Sequence, residues 1–168
     1  MTDFLAKIER LFAPIEGWGE FRPGSRHAAV AFILYREDGR WQVPFVRRRA
    51  DLRDHPGQVA LPGGGVKAGE SAWDAARREV TEEIGVPAEK LVPLGAGELI
   101  YTSVSNFSVV PFVAHIPEPV PPFVYDKESW TVCSRFRSTG CSTTARGESQ
   151  PPRGDSGSLR TRRASCGA

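Results

Sequence analysis

The sequence predicts an α/β domain in which strands precede and follow one well-defined helix. Residues 27–48 read HAAVAFILYREDGRWQVPFVRR, two β-rich runs joined at Asp38 and Gly39, which is a strong β-hairpin signal. A helical pattern follows over residues 72–84, and two further strand patterns flank a polar loop at 103–106. A chain of 168 residues has room for one such domain with a substantial core.

The N-terminal residues predict a short amphipathic helix over residues 3–13. Leu5, Ile8 and Phe12 fall at helical spacing and would pack on the domain. Residues 14–23 are expected to form a linker, so that the core begins at about residue 25.

The helix predicted from Ala72 to Ile84 carries its own start and stop signals. Ser71 with Asp74 three residues later resembles a capping box, and Gly85 is a typical helix end. Its apolar positions form one stripe that can be buried: Trp73, Ala76, Val80 and Ile84.

Charge is distributed unevenly along the chain. The net charge is +2, but residues 131–168 hold seven arginines against two acids, which leaves −3 for the rest. A mildly acidic body argues against nucleic-acid binding. The opening MTDFLAKIERLF interleaves acids with apolar residues, and no later run reaches transmembrane length. We therefore expect a cytoplasmic protein without nucleic-acid or membrane partners.

The C-terminal segment differs in composition from the rest of the chain. From Thr131 onward it is rich in Ser, Thr, Arg, Gly and Pro, and its large apolar residues are Val132, Phe136 and Leu159. Such a segment cannot supply a packing face. We predict a domain over residues 1–130 and a disordered basic tail over residues 131–168.

Three carboxylates share one stripe of the predicted helix. At about 100° per residue, Glu83 lies about 40° from Glu79, and Glu82 lies about 60° away on the other side. Like charges so placed repel one another unless a cation lies among them, and oxygen ligands suit Mg²⁺ or Mn²⁺. The alternative is a solvated helix face on which Arg77 and Arg78 neutralise the acids.

Three glycines, Gly63, Gly64 and Gly65, precede this helix. Without side chains, they could bring bare backbone against a phosphate or offer a carbonyl to a metal. A triple glycine is otherwise typical of a turn.

Residues 64–86 together resemble the Nudix box of the Nudix hydrolases, G-x5-E-x7-R-E-U-x-E-E-x-G-U, in which U is aliphatic. Every fixed position is filled, by Gly64, Glu70, Arg78, Glu79, Val80, Glu82, Glu83, Gly85 and Val86. The resemblance implies an α/β/α sandwich with a mixed sheet. It also implies metal-dependent hydrolysis of a nucleoside diphosphate linked to another group.

The resemblance further implies roles for individual residues. The implied metal ligands are Glu79, Glu82, Glu83 and the carbonyl of Gly64. Arg78 and Glu70 would orient these carboxylates. The general base stays open between Glu82 and His55.

The preceding segment, PFVRRRADLRDHPGQVALPGG, resembles the motif of the coenzyme A pyrophosphatases within the Nudix superfamily, L-L-T-x-R-[SA]-x3-R-x3-G-x3-F-P-G-G. The matching positions are Arg48, Arg53, Gly57, Pro62, Gly63 and Gly64. The departures are Pro44, Phe45, Val46, Arg49 and Leu61. The resemblance implies substrate binding by Arg48, Arg53, Gly57 and Gly63.

Coenzyme A carries a 3'-phosphate beyond its diphosphate, and Arg48 and Arg53 could supply the positive charge that it requires. The alternative is that these arginines are solvated charges at the end of a strand. The expected products are 3',5'-ADP and a 4'-phosphopantetheine compound. Whether the protein is a monomer or a homodimer stays open.

Two other functions remain open. The first is hydrolysis of another diphosphate compound, such as a nucleotide sugar, a dinucleotide or a nucleoside triphosphate. The second is an inactive Nudix-like remnant, because family members continue into a last strand and helix where the tail stands. A shifted reading frame in GC-rich DNA would give a tail of this composition, and the nucleotide sequence near codons 117–131 tests that hypothesis.

Overall fold

The described part of the chain alternates strands with two α-helices. A computed structural model describes residues 2–51, 56–124, 130–134, 136–137 and 140–141. The elements are α1 (Thr2–Glu9), β1 (Arg26–Glu37), β2 (Arg40–Gln42), β3 (Pro44–Arg48), β4 (Val59–Ala60), β5 (Gly63–Gly65), α2 (Ala72–Ile84), β6 (Val92–Ala96), β7 (Ile100–Thr102), β8 (Phe107–His115), β9 (Trp130–Ser134), β10 (Phe136–Arg137) and β11 (Gly140–Cys141). Short 3-10 turns cover Ile15–Gly17 and Ala88–Lys90.

The predicted hairpin forms, but its second run of residues divides between two sheets. β1 pairs with β2 across Asp38 (φ 50°) and Gly39 (φ 73°), and two successive positive φ values are typical of a type I′ turn. The chain then leaves β1 at Val43. Because Pro44 has no N–H to donate, it begins a separate strand, β3, which pairs with β4 and β9.

The larger sheet has the strand order β2-β1-β8-β6, with β5 also paired to β1 and β7 also paired to β8. β1 and β8 run parallel, whereas the other pairs are antiparallel, so the sheet is mixed as expected. β7 and β8 confirm the two strands predicted around the loop at 103–106. β6 was not predicted, because Pro93 and Gly95 weaken its strand pattern.

The two faces of this sheet are covered by different helices. α2 covers one face, where the buried cluster includes Ala29, Ala31, Ile33, Ala76, Val80, Ile84 and Phe112. α1 covers the other face, where Leu5, Ile8 and Phe12 pack against Leu34, Leu94 and Val113. The α/β/α sandwich is therefore confirmed, although α1 ends at Glu9 and Phe12 reaches the sheet from the following turn.

Residues 14–23 are more structured than the expected linker. A 3-10 turn forms at Ile15–Gly17, and the half-buried rings of Trp18 and Phe21 pack on the core with their centroids 4.6 Å apart. The aromatic residues in this short stretch were the signal for packing that the linker interpretation overlooked.

The predicted bounds of α2 are confirmed. The Ser71 Oγ accepts a hydrogen bond from the Asp74 N–H (3.0 Å) and donates one to the Asp74 carboxylate (2.6 Å). At the other end, Gly85 adopts φ 70° and donates its N–H to the Thr81 carbonyl (3.1 Å). Local capping therefore fixes both ends of the helix.

Replacing Gly85 by alanine should destabilise the protein by about 2 kcal/mol or more. The left-handed conformation itself costs about 1–2 kcal/mol for a residue with a side chain. In addition, a Cβ at this position would overlap the carbonyl oxygen of Val124 and lie 2.8 Å from its Cβ. Urea unfolding should be compared with Gly24→Ala, which has a similar φ of 76° but open space around its Cβ. Equal losses in the two variants would exclude a role for the Val124 contact.

The predicted boundary after residue 130 falls inside strand β9. This strand, Trp130–Ser134, pairs antiparallel with β3, with Val132 opposite Val46. Residues 142–168 lie outside the described part, so the disorder predicted there stays a prediction. Neither helix of the described residues is long and apolar enough to cross a membrane.

Candidate active site

Helix α2 places its acidic stripe against the glycine strand β5. Glu83 is buried and its carboxylate accepts a hydrogen bond from the Gly63 N–H (3.1 Å). Glu79, with 17% of its side chain exposed, lies over Gly64, where an added Cβ would be 2.8 Å from Glu79 Oε2. Glu82 is 54% exposed. The predicted carboxylates and glycines therefore meet, with backbone and carboxylate in direct contact.

The register of β5 decides which glycine carbonyl faces the acids. Gly64 lies opposite Ala29, and the ladder hydrogen bonds turn its N–H and C=O toward β1. Gly63 has the opposite orientation, since its N–H donates to Glu83. We therefore move the candidate carbonyl ligand from Gly64 to Gly63.

Arg78 connects the acidic residues to one another and to β5. Its Nε donates to Glu70 Oε1 (2.8 Å), and its Nη1 donates to Glu79 (2.6 Å) and Glu82 (3.1 Å). Its Nη2 donates to the Gly65 carbonyl (2.9 Å). The hydrogen bond with Glu70 raises the pKa of Arg78 and lowers the pKa of Glu70, so both groups remain charged. Arg78 thus positions three carboxylates relative to the sheet.

The carboxyl of Glu83 is the least compensated charge of the stripe. Burial raises the pKa of Glu83 to about 7, and the negative charges of Glu79 and Glu82 also raise it. The Gly63 N–H and the charge of Arg48 act in the opposite direction. A buried carboxylate with like-charged neighbours is therefore poised to interact with an added cation.

The alternative of a solvated helix face does not fit these contacts. Arg77 pairs with Asp74 and lies 5.8 Å over the Trp73 ring, away from the acidic stripe. Of these two arginines, Arg78 is the one that donates to the acids of the stripe, and Glu83 is only 6% exposed. The stripe is a partly buried surface facing β5.

The donor chemistry fits Mg²⁺ or Mn²⁺, since the side-chain groups are carboxylates and the candidate backbone group is a carbonyl. Among the described residues, however, no group of three or more Asp, Glu, His or Cys side chains lies close enough together to hold a metal ion. The reason is that Glu79 and Glu82 bond to Arg78, whereas Glu83 bonds to Gly63. Gathering these carboxylates around one cation therefore requires their side chains to move closer together.

The structure places part of the predicted substrate segment beside this stripe. Arg48 ends β3, and its charge lowers the pKa of Glu83. Gly57 adopts φ 69° in the connection between β3 and β4. Arg53 and His55 fall outside the described residues, so their assigned roles stay predictions.

Lys67 is a site residue that sequence reasoning missed. Its N–H donates to the Glu70 carboxylate (3.0 Å), and its Nζ lies 3.9 Å from Glu82 Oε1. It occupies an unspecified position of the box. No spacing rule could have identified it.

The fold and the site define a class of protein: an α/β/α domain whose capped helix presents carboxylates to a glycine strand. Residues 25–132 match the NUDIX domain family. This match covers more than half of the chain, and the chain belongs to the Nudix family.

Several curated relatives are similar to this chain. The uncharacterized Nudix hydrolase NudL of Escherichia coli is 40% identical over 122 residues, covering 72% of this chain and 61% of that protein. The NudL of Citrobacter koseri is 36% identical over 118 residues, covering 70% and 59%. Nudix hydrolase 3 of Caenorhabditis elegans is 37% identical over 90 residues, covering 54% and 38%. The chain thus spans between 38% and 61% of the length of these relatives.

Solved structures share the fold at lower identity. A Nudix hydrolase from M. smegmatis, RenU, aligns with a TM-score of 0.54 at 24% identity, covering 73% of this chain and 76% of that one. The C. elegans Ap4A hydrolase aligns with a TM-score of 0.53 at 22% identity, covering 65% and 78%. These likenesses establish the fold alone.

Proposed function

We propose that this protein is a metal-dependent Nudix hydrolase that cleaves the diphosphate bond of coenzyme A or a derivative. The products are 3',5'-ADP and a 4'-phosphopantetheine compound. The observation that carries the proposal is the contact of Glu79 and Glu83 with β5, because it places carboxylates beside bare backbone at one partly buried surface.

The residues around β5 have two kinds of part in this proposal. Glu79, Glu82, Glu83 and the Gly63 carbonyl would hold the divalent cation, and Arg78 and Glu70 would orient the carboxylates. When bound, Mg²⁺ or Mn²⁺ supplies charge neutralisation at the diphosphate and activates water. Hydrolysis adds the oxygen of water to one phosphorus and breaks the bridging P–O bond, so a group must accept a proton from that water. Glu82 is the candidate base, because it is the most exposed of the three glutamates.

Arg48 supports coenzyme A as the substrate. Its charge acts on Glu83, yet it comes from β3 and lies outside the acidic stripe. The 3'-phosphate of coenzyme A lies beyond its diphosphate and could pair with such a cation.

Arg48→Ala should raise the KM for coenzyme A about tenfold, which corresponds to ~1.4 kcal/mol for a charge-assisted contact. The KM for dephospho-coenzyme A, which lacks the 3'-phosphate, should change much less. Arg40→Ala, at the exposed first position of β2, serves as the matched control. Equal losses on both substrates would assign Arg48 to the diphosphate or to folding. The sequence predicts the same selectivity for Arg53→Ala.

The direct test is release of 3',5'-ADP from coenzyme A by the full chain with Mg²⁺ or Mn²⁺. A panel containing a nucleotide sugar, a dinucleotide and a nucleoside triphosphate should be measured in parallel. Faster turnover of one of those compounds would replace coenzyme A as the substrate. Failure to hydrolyse any of them would favour the inactive alternative.

A further inference from the structure

A cavity of about 490 Å³ lies between the 3-10 turn at Ile15–Gly17 and the first turn of α2. Its volume is within the range of small-molecule pockets, roughly 300–1,000 Å³. The rings that line it are Trp18, Phe21 and Trp73, and its charged side chains are Glu16, Glu70 and Asp74. None of the roles proposed above uses this space, although Glu70 belongs to both regions.

The aromatic side of the cavity is held in place by packing. Trp18 and Phe21 contact each other, and Phe21 stacks on His27 with centroids 4.1 Å apart. Trp73 packs against Phe112 of β8 at 5.3 Å. These contacts keep apolar surface available without a rearrangement of the core, which favours binding of an apolar group.

The described lining of the cavity offers no cation to a phosphate. Its charged side chains are all acidic, and two of them already form ion pairs, Glu70 with Arg78 and Asp74 with Arg77. A phosphorylated nucleoside gains no charge attraction from these lining side chains, whereas an uncharged chain with amide N–H donors can hydrogen-bond to carboxylate oxygens. The pantetheine arm of coenzyme A has this character, with methyl-bearing carbon and two amides.

The cavity adjoins the acidic stripe at the N-terminal end of α2. Glu70 lines the cavity, and its carboxylate bonds to Arg78, which also bonds to Glu79. Trp73 precedes Glu79 by six residues, or about 9 Å along the helix axis. A diphosphate at the acidic stripe would therefore have this aromatic cavity beside it, at the N-terminal end of α2.

We propose that the cavity lined by Trp18, Phe21, Trp73 and Glu70 binds the uncharged pantetheine arm of the substrate, while the 3'-phosphorylated nucleoside lies outside it. This proposal rests on the proposed function, since it assigns one half of coenzyme A to the cavity. The cavity would then determine which chemical group, joined to the nucleoside diphosphate, the enzyme accepts in its substrate.

Tryptophan fluorescence of the full chain tests binding directly, with 4'-phosphopantetheine and 3',5'-ADP as separate probes. We expect saturable quenching by 4'-phosphopantetheine that is at least halved in Trp18→Phe. Trp41→Phe is the matched control, because Trp41 packs beside Phe4 on the other face of the sheet and should leave the quenching intact. Quenching by 3',5'-ADP that depends on Trp18 would place the nucleoside in the cavity and overturn the proposal. Quenching by 4'-phosphopantetheine that is insensitive to Trp18→Phe would also overturn it.

Steady-state kinetics separate this proposal from the proposed function. Trp18→Leu keeps an apolar side chain but removes the ring. ADP-ribose, which has no pantetheine arm, is the comparison substrate. The factor by which the variant raises the KM should be at least ten times larger for coenzyme A than for ADP-ribose. Equal effects on both substrates would reject the cavity assignment while leaving coenzyme A hydrolysis in place. If the parent chain binds 4'-phosphopantetheine through Trp18 but does not hydrolyse coenzyme A, the activity fails and the cavity stands. Thermal unfolding shows whether Trp18→Leu folds. If it does not fold, the fluorescence titration of Trp18→Phe tests the cavity assignment instead.

Discussion

Glu83→Gln should lower metal-dependent hydrolysis about 100-fold or more, equivalent to ~2.7 kcal/mol of transition-state stabilisation. Glu83 is buried beside Gly63 and lies near two other glutamates, so a bound cation would stabilise the charged form of its carboxylate strongly. Glutamine keeps the shape and retains a carbonyl that can accept the Gly63 hydrogen bond, but it removes the negative charge. The cation site should therefore weaken while the fold remains.

Stability measurements without added metal distinguish this role from a structural one. Removing a buried charge that neighbouring acids repel should leave the unfolding temperature unchanged or raise it. Glu89→Gln, on the exposed 3-10 turn after α2, is the matched control for the chemical change. Activity of Glu83→Gln within a few-fold of the parent would remove the metal-ligand assignment. A loss of activity accompanied by a lower unfolding temperature would instead assign Glu83 to folding.

The parts of the fold that were correctly predicted are those fixed by local sequence. α2 begins at its Ser71 cap and ends at Gly85, since both caps are hydrogen bonds within a few residues. The turn at Asp38 and Gly39 is similarly local. Caps and tight turns of this kind can be recognised in the sequence without knowing which strands pair.

The parts that were missed depend on contacts between distant segments. β3 leaves the hairpin at Pro44 and pairs with β9, which lies more than 80 residues further along the chain. β6 contains Pro93 and Gly95 and becomes a strand through pairing with β8. Arg48 in β3 and Glu83 in α2 are also far apart in the sequence, although the charge of Arg48 lowers the pKa of Glu83. Neither hydrophobic period nor spacing records these pairings.

The glycine strand shows where a motif stops being informative. The Nudix box identifies Gly64 by its position in the motif. Whether the carbonyl of Gly63 or that of Gly64 faces the acids depends on strand register, and a register shift of one residue would exchange the two. The sequence favoured a loop that offers its backbone to a ligand. Pairing with β1 instead makes the segment a strand, and the space above Gly64 is filled by the Glu79 carboxylate.

Alanine at each glycine of β5 should therefore give three different results. None of the three residues has a positive φ, so differences among the variants report the space around each Cβ. In Gly65→Ala the nearest heavy atom is the His27 carbonyl oxygen at 3.9 Å, an ordinary contact. This variant should resemble the parent in both stability and activity, and it serves as the control for the series.

Gly63→Ala and Gly64→Ala should lose activity for different reasons. A Cβ at Gly64 would meet the carboxylate of Glu79, a flexible group that can move aside, so Gly64→Ala should fold normally while hydrolysis falls at least tenfold. A Cβ at Gly63 would lie 2.6 Å from the Val30 Cα and overlap the Ala29 carbonyl, and the backbone of β1 cannot yield as easily. Gly63→Ala should thus lower the free energy of unfolding by about 1–3 kcal/mol in addition to reducing activity.

Urea unfolding and turnover measured on all three variants test the pattern. If Gly65→Ala is as damaging as Gly63→Ala, the strand needs its glycines for a reason other than space; if Gly64→Ala keeps full activity, the position of Glu79 over β5 does not matter for hydrolysis.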